Sequence, residues 1–338
     1  MRRAAIVGCG GISAVHAAVL SELPEVQLCA CADIRPERAQ ALAERYGLAA
    51  YDSLEAMLRE EAIDVLHICT PHALHVPMAE AAAARGIAVF TEKPPAVDHG
   101  QWARLLRVSE QVPVGVCFQN RYNAPVQALK GRLEAGEFGR VLGARAFVTW
   151  NRTAPYYTES GWRGRWDSEG GSALINQSIH TLDLLCHLLG TPTQVRSSMQ
   201  NHHLQGVIET EDTVEARIQF GDRAALFYAS TGYCQDAPVF LEVACEKATA
   251  RIEDGRLRLY RAGGETEDLC FASAEPLGKG YWGNGHVPCI RDFYECLASG
   301  RPYRCSPKHV EDTVSLMLAM YDAGRKHLTD EAERLRGV

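Results

Sequence analysis

The sequence has no run of basic residues, no apolar stretch long enough to span a bilayer, no Cys-x-x-Cys pair, no internal repeat and no low-complexity linker. Each absence removes a class of protein. Lys and Arg number 35 against 42 Asp and Glu, a formal charge of −7, and without a basic stripe nothing can track a nucleic-acid backbone. The opening Met1-Arg2-Arg3 and the apolar Ala4–Val7 are broken by glycines before reaching the length of a signal-peptide core. The 12 cysteines form neither a disulfide scaffold nor a zinc-ligand pattern, because Cys29, Cys31 and Cys69 sit inside apolar, strand-like runs. These features predict free thiols in a reducing cytoplasm, no metal, no nucleic acid and no membrane, with the acidic balance serving solubility.

What remains is ordinary globular composition, 46% apolar and 23% charged, in a chain of 338 residues, enough for two domains with separate cores. Over the first ~120 residues, short apolar runs (Ala4–Val7, Val26–Ala32, Val65–Cys69, Ala88–Phe90, Val114–Cys117) alternate with helical patterns. One helix opens with Pro36 and stops at Gly47, and another runs from His75 to Arg85 before Gly86. Such alternation predicts right-handed βαβ crossovers and a doubly wound parallel sheet. The second half changes texture. Val141–Trp150, Thr213–Phe220, Ala224–Thr231 and Leu241–Val243 read as antiparallel strands, Gln177–Leu189 and Val310–Lys326 as helices, and Asn151–Gly171 as a functional loop. The expected class is α/β: a Rossmann-type domain over 1–120, then an α+β domain with an open, mainly antiparallel sheet over 121–338, its final helix packing back on the first.

The first strand runs into Gly8-Cys9-Gly10-Gly11-Ile12-Ser13 and then an Ala-rich helical stretch. This is a GxGxxG loop with serine at the third position. Gly8 permits the tight turn, Gly10 lets backbone approach a pyrophosphate, and the helix start, with Gly11 and Ile12, offers N–H donors to it. The second strand ends at Asp33, and 33 − 8 = 25 residues is close to the spacing of an acid that holds the adenosine ribose. A carboxylate there repels a 2′-phosphate and favours NAD over NADP, although Arg35 could receive that phosphate. Asp33 could also cap the helix beginning at Pro36.

Two further segments follow strands, Thr70-Pro71-His72-Ala73-Leu74-His75 and Thr91-Glu92-Lys93-Pro94-Pro95. With the glycine loop, Gln119–Tyr122 and the stretch Gly170 to Asp183, they resemble the fingerprints of the glucose–fructose oxidoreductase, inositol dehydrogenase and rhizopine-catabolism (Gfo/Idh/MocA) family over nearly the whole chain. The resemblance implies a dehydrogenase in which Lys93 is the catalytic lysine and His180 the general acid/base. It places Thr70, Pro71, His72, His75, Glu92 and Lys93 against the cofactor, and allows a cis Lys93–Pro94 bond. The residue physics agrees, because ligands of a doubly wound sheet bind off the carboxyl ends of its strands.

Asn176, His180 and Asp183, at i, i+4 and i+7, are expected on one helical face, with Ile179, Leu182, Cys186 and Leu189 as the apolar stripe. Inositol dehydrogenase-like members carry aspartate where this chain has Asn176, which points away from inositol. Asp183 either touches substrate or orients its helix. The loop with Tyr156, Tyr157, Trp162, Arg163, Arg165 and Trp166 offers rings for a sugar face and guanidinium groups for an anionic substituent. Arg121, Tyr281 and His286 are further substrate candidates. The leading expectation is NAD-dependent oxidation of a sugar, glycoside or polyol hydroxyl by a homodimer or homotetramer. Two alternatives stay open: a glycoside-cleaving or epimerising enzyme that recycles its NAD, and a sugar-sensing regulator on the same scaffold.

Overall fold

The computed structural model describes residues 1–271 and 283–336, and side chains as far as residue 324. The chain divides into two compact units, Met1–Gln119 with Glu275–Val310, and Asn120–Ala274 with Glu311–Val338.

The first unit is built on six strands: β1 Arg2–Val7, β2 Val26–Ala32, β3 Ala49–Tyr51, β4 Val65–Ile68, β5 Ala88–Thr91 and β6 Val114–Val116. They are all parallel, in the order β3-β2-β1-β4-β5-β6. The order reverses between β1 and β4, which opens a ligand crevice at their carboxyl ends. Strands β4, β5 and β6 are buried along their whole length, as largely apolar sequences require, with His67 of β4 and Thr91 of β5 the polar residues buried among them. The crossover helices are α1 Ser13–Ser21, α2 Pro36–Tyr46, α3 Leu54–Glu60, α4 His75–Ala83 and α5 His99–Ser109. Strand β3 escapes the sequence pattern because three residues, Ala49-Ala50-Tyr51, show no period.

After α6 Ala124–Glu134, the second unit continues with β7 Val141–Thr149, the short α7 Ala154–Thr158, a π-turn over Ala173–Ser178 and α8 Ile179–Leu189. Seven strands follow: β8 Gln194–Gln200, β9 Thr213–Phe220, β10 Arg223–Ser230, β11 Phe240–Cys245, β12 Ala248–Glu253, β13 Arg256–Arg261 and β14 Thr266–Cys270. With β7 they form one sheet, β14-β13-β12-β11-β7-β10-β9-β8, antiparallel except where β10 lies parallel to β7. Alternation separates its faces. Ala146, Val148, Ala225, Phe227, Leu241 and Val243 are buried on one side. The other carries Phe147 stacked on Phe240 at 5.4 Å, flanked by Arg145 and Arg251.

Ile179, Leu182, Cys186 and Leu189 are all buried, so the predicted stripe seats α8. Each such apolar side chain contributes about 1.5–3 kcal/mol. Helix α9 His286–Ser299 returns to the first unit, where Phe293 meets Phe90 at 5.1 Å. The described side chains of α10 Pro307–Arg336 bond into the second unit through Thr313 and Tyr321. Among the described residues, no helix is long and apolar enough to cross a membrane.

Candidate active site

The glycine loop is shaped by contact. Gly8 has φ +86°, and a Cβ there would lie 2.6 Å from the carbonyl oxygen of Cys69. No side chain can be carried at that position without moving the end of β4. At Gly10 and Gly11 a Cβ would meet nothing within 4 Å, so the backbone faces open space. Ser13, at the third motif position, donates its hydroxyl to the Gly10 carbonyl at 2.6 Å and closes the loop onto α1. At the start of α1 the Ile12 carbonyl takes the N–H groups of Val15 and His16, at 3.0 and 3.3 Å. An uncrowded loop that leads into the positive end of a helix dipole fits a dinucleotide pyrophosphate.

Asp33 braces this loop. Its Oδ2 accepts the Cys9 N–H at 2.7 Å and its Oδ1 accepts the Arg35 N–H at 2.8 Å. The capping expectation is corrected: Arg35 occupies the N-cap of α2, and no side chain caps that end. Directly after the strand, the Asp33 carboxylate is better placed to tie the turn than to reach the first helical N–H groups.

Lys93 follows β5, half-buried, and the Lys93–Pro94 bond is cis as the resemblance allowed. Glu92 is buried; its Oε2 accepts the Lys93 N–H at 3.2 Å and its Oε1 lies 3.0 Å from His16 Nε2. The segment 70–75 is tied to the same strand end. His75 Nδ1 lies 2.8 Å from the Pro94 carbonyl oxygen and Nε2 lies 2.9 Å from that of Thr70. The ring is buried, which pushes its pKa down. His75 therefore staples the Thr70–Pro71 turn to the Lys93–Pro94 turn, with both ring nitrogens facing protein carbonyls. His72 is buried beside it at 5.9 Å. His286 opens α9, and burial pushes its pKa down to about 4. Tyr281 lies outside the described residues.

In the second unit, His180 is half-buried in the first turn of α8. Asn176 lies one π-turn earlier, where wider winding replaces the expected i, i+4 relation between them. Its amide donates to Glu169 Oε1, and the Glu169 Oε2 accepts the Gly164 N–H. Burial pushes the Glu169 pKa up to about 7. Glu211, also buried, accepts the N–H groups of Ser172 and Leu174, both at 3.0 Å, and the Tyr321 hydroxyl at 2.8 Å. Gly171 is required here, because a Cβ would overlap the Tyr321 hydroxyl. The Gly170-Gly171 pair thus lets the chain pass between two buried glutamates. Sequence reading missed both; a glutamate directly before a glycine pair was the available signal for Glu169.

Of the two roles expected of Asp183, its contacts fit the one that orients the helix. It is fully buried and accepts Arg121 Nε at 2.8 Å, Arg121 Nη2 at 2.6 Å and the Thr313 hydroxyl at 2.8 Å. Arg121, buried as well, forms the other half of this ion pair.

The aromatic loop separates its arginines. Arg165 lies on the surface with Asp167 and Glu209, and Trp166 sets its ring edge-on to Tyr321 at 5.8 Å. Arg152 pairs with Asp236 and donates Nε–H to Gln177 Oε1 at 2.9 Å; Gln177 in turn donates to the Tyr156 hydroxyl at 2.8 Å. Arg163 lies 4.2 Å over the Tyr156 ring and 5.0 Å from that of Trp162. Among the described residues, no carboxylate forms an ion pair with Arg163, and its buried Nε–H meets no acceptor.

A glycine loop at the switch point of a parallel sheet, beside a lysine-bearing turn, defines a dinucleotide-binding class of two-domain proteins. Comparison with known proteins places the chain within it. The model described as oxidoreductase family, NAD-binding Rossmann fold matches residues 2–118, and the GFO/IDH/MocA C-terminal domain matches 126–251. The chain belongs to the Gfo/Idh/MocA oxidoreductase family, and its cofactor is NAD. It is 30% identical over 226 residues to D-glucoside 3-dehydrogenase of Escherichia coli K12, covering 65% of this chain and 61% of the relative. It is 30% identical over 192 residues to inositol 2-dehydrogenase of Rhizobium meliloti, covering 56% and 55%. The matched part thus spans less than two thirds of either relative. The solved structure of the WlbA dehydrogenase from Bordetella pertussis, in complex with NADH and UDP-GlcNAcA, matches with TM-score 0.83 and 28% identity over 96% of both chains.

Proposed function

We propose that this protein is an NAD(H)-dependent dehydrogenase of a secondary hydroxyl on a sugar, glycoside or polyol. The observation that carries this reading is Lys93, half-buried after β5 and anchored by buried Glu92, in the unit that presents the glycine loop. Residues Gly8 to Ser13 hold the pyrophosphate and Asp33 the adenosine ribose, whose hydroxyls suit a carboxylate and whose 2′-phosphate does not. NAD, when bound, supplies hydride exchange with the carbinol carbon. The Lys93 ammonium donates to the reacting oxygen and stabilises negative charge developing there. His180 takes the hydroxyl proton, a task suited to an imidazole near neutral pH. Asn176 orients the substrate by hydrogen bonding.

The substrate class includes an anionic substituent, held by Arg163. This arginine lies on the ring of Tyr156, which Gln177 ties to the helix start bearing Asn176, and among the described residues it forms no ion pair, although its charge is felt at buried Glu169. UDP-GlcNAcA, in the WlbA complex, is an anion of this kind. The first unit then serves as cofactor domain and the second as substrate and oligomerisation domain. The outer sheet face around Phe147 and Phe240 pairs copies into a homodimer or homotetramer. Twelve free cysteines, eight of them buried, support a reducing cytoplasm as its location.

The test is nicotinamide absorbance after mixing the protein with NAD⁺ and a panel of sugars, uronic acids, inositols, sugar phosphates and sugar nucleotides. Reduction with one class, lost in Lys93→Ala, is expected. Turnover of a glycoside with no net change in absorbance establishes the recycling chemistry instead, and failure to bind NADH sinks both.

A further inference from the structure

Beneath Lys93 runs a line of buried polar groups that the reaction above does not use. His16 Nε2 lies 3.0 Å from Glu92 Oε1, the Nδ1 atoms of His16 and His67 face each other at 2.9 Å, and His67 Nε2 lies 2.9 Å from the Tyr294 hydroxyl. His16 and His67 are fully buried and Tyr294 is 1% exposed. The four groups come from α1, β4, the end of β5 and α9.

Counting donors assigns the protons. Two Nδ1 atoms at this distance hold one proton between them, since two lone pairs or two N–H groups would repel. The carboxylate on the far side of His16 makes that ring the doubly protonated one. Nε2–H of His16 donates to Glu92 and Nδ1–H donates to His67, whose own Nε2–H donates to the Tyr294 oxygen. Burial opposes charge on His16, but Cys69 and Glu92 outweigh it and push the pKa up to about 10. Burial, joined by the charge of His16, pushes the His67 pKa well down. Glu92, which burial alone would raise, is held well below the usual carboxylate range by the hydrogen bond and charge of His16.

Through its other oxygen the same carboxylate accepts the Lys93 N–H. We propose that Glu92, His16 and His67 form a buried charge relay that sets the position and charge environment of Lys93, with His16 and His67 as positioning residues acting through Glu92. This rests on Lys93 serving the reaction. A bare carboxylate at residue 92 would present a full negative charge to the neighbouring Lys93; the His16 cation neutralises it, so the charge that Lys93 meets from Glu92 is set by the proton on His16. The other titratable groups facing Glu92 are His75, His286 and Cys117, which burial keeps uncharged, with Cys69 beside His16. Ligand atoms of His16, Glu92 and Cys117 lie within 4.8 Å of one another and could hold a soft cation, but both His16 nitrogens already have hydrogen-bond partners.

The relay is tested directly by NMR of ¹⁵N-histidine-labelled holoprotein, with His16 assigned by loss of its signals in His16→Asn. An imidazolium that stays charged from pH 6 to 9 is expected. A neutral His16 at pH 7, or stoichiometric zinc in the purified protein that Cys117→Ser releases, would overturn the relay whether or not any sugar turns over. In kinetics, His16→Asn leaves Glu92 to pair with Lys93, so the basic limb of kcat/KM moves up by about one pH unit while the acid limb stays. His67→Phe, which keeps the ring volume and removes the acceptor of Nδ1–H, moves the same limb less far. A lowered rate with both limbs unmoved in both variants reduces the two histidines to packing and refutes the proposal.

Discussion

Arg121 and Asp183, 62 residues apart in sequence, close a two-pronged ion pair of 2.8 and 2.6 Å with side chains 8% and 0% exposed. Bidentate geometry and the Thr313 hydroxyl compensate for desolvating both charges. Removing one partner strands the other. Arg121→Met is expected to lose about 3–5 kcal/mol in urea unfolding, and Arg121→Met with Asp183→Leu to recover most of it. A double variant no more stable than the single one would show that the pair contributes more than mutual neutralisation.

Gly8→Ala is expected to weaken NADH binding at least about tenfold by fluorescence titration, because the new methyl must displace the Cys69 carbonyl and the positive φ disfavours it. Gly10→Ala meets no atom of the fold, so its melting temperature should match the parent even where NADH affinity falls. Unaltered affinity in Gly8→Ala would mean that the loop moves freely.

Lys93→Met should lower kcat by about 10²–10⁴ while NADH affinity changes little, as befits a group acting on the reacting oxygen. His180→Asn should lose a similar factor and flatten the acid limb of the pH profile. A Lys93 variant that chiefly raises KM would reassign the lysine to binding.

Glu169 makes stability fall with pH. Its pKa is about 7 in the fold against an ordinary 4.5, so between these values the folded chain keeps a proton that the unfolded chain has released. Stability from this group is complete below pH 4.5, is lost as pH rises towards 7, and is flat above. Comparing urea midpoints at pH 5 and 8, Glu169→Gln should be less pH-sensitive than the parent. An unchanged slope would place the titration elsewhere.

For Arg163→Ala, KM for an anionic sugar should rise about ten- to a hundredfold while a neutral analogue is handled as before. Arg163→Lys should recover part of the loss for a phosphate and less for a carboxylate, which the planar guanidinium grips with two hydrogen bonds.

The parallel sheet was legible because continuous apolar strands and helix punctuation at Pro36 and Gly47 are local signals. The glycine loop and Lys93 were legible because a motif at a strand end has a fixed place in such a sheet. What stayed hidden depends on distant partners. The sequence left Asp183 between two roles, because its ion-pair partner Arg121 lies 62 positions away. Asn176 looked like a helical neighbour of His180 because no periodicity reveals a π-turn. Nothing local marks His16 and His67, 51 positions apart, as partners, and only the fold brings their Nδ1 atoms to 2.9 Å.

Asp33 holds the N–H groups of both Cys9 and Arg35 with the same carboxylate that we propose holds the adenosine ribose. Changing the cofactor preference of this chain is therefore not a matter of erasing one charge. Asp33→Ala would admit a 2′-phosphate and at the same time release the turn that grips the pyrophosphate. A redesign for NADP has to keep an acceptor at residue 33, as serine or asparagine does, and place the new cation at Arg35 or beyond. On the proposed reading, the discrimination between two dinucleotides is welded to the folding of the loop itself.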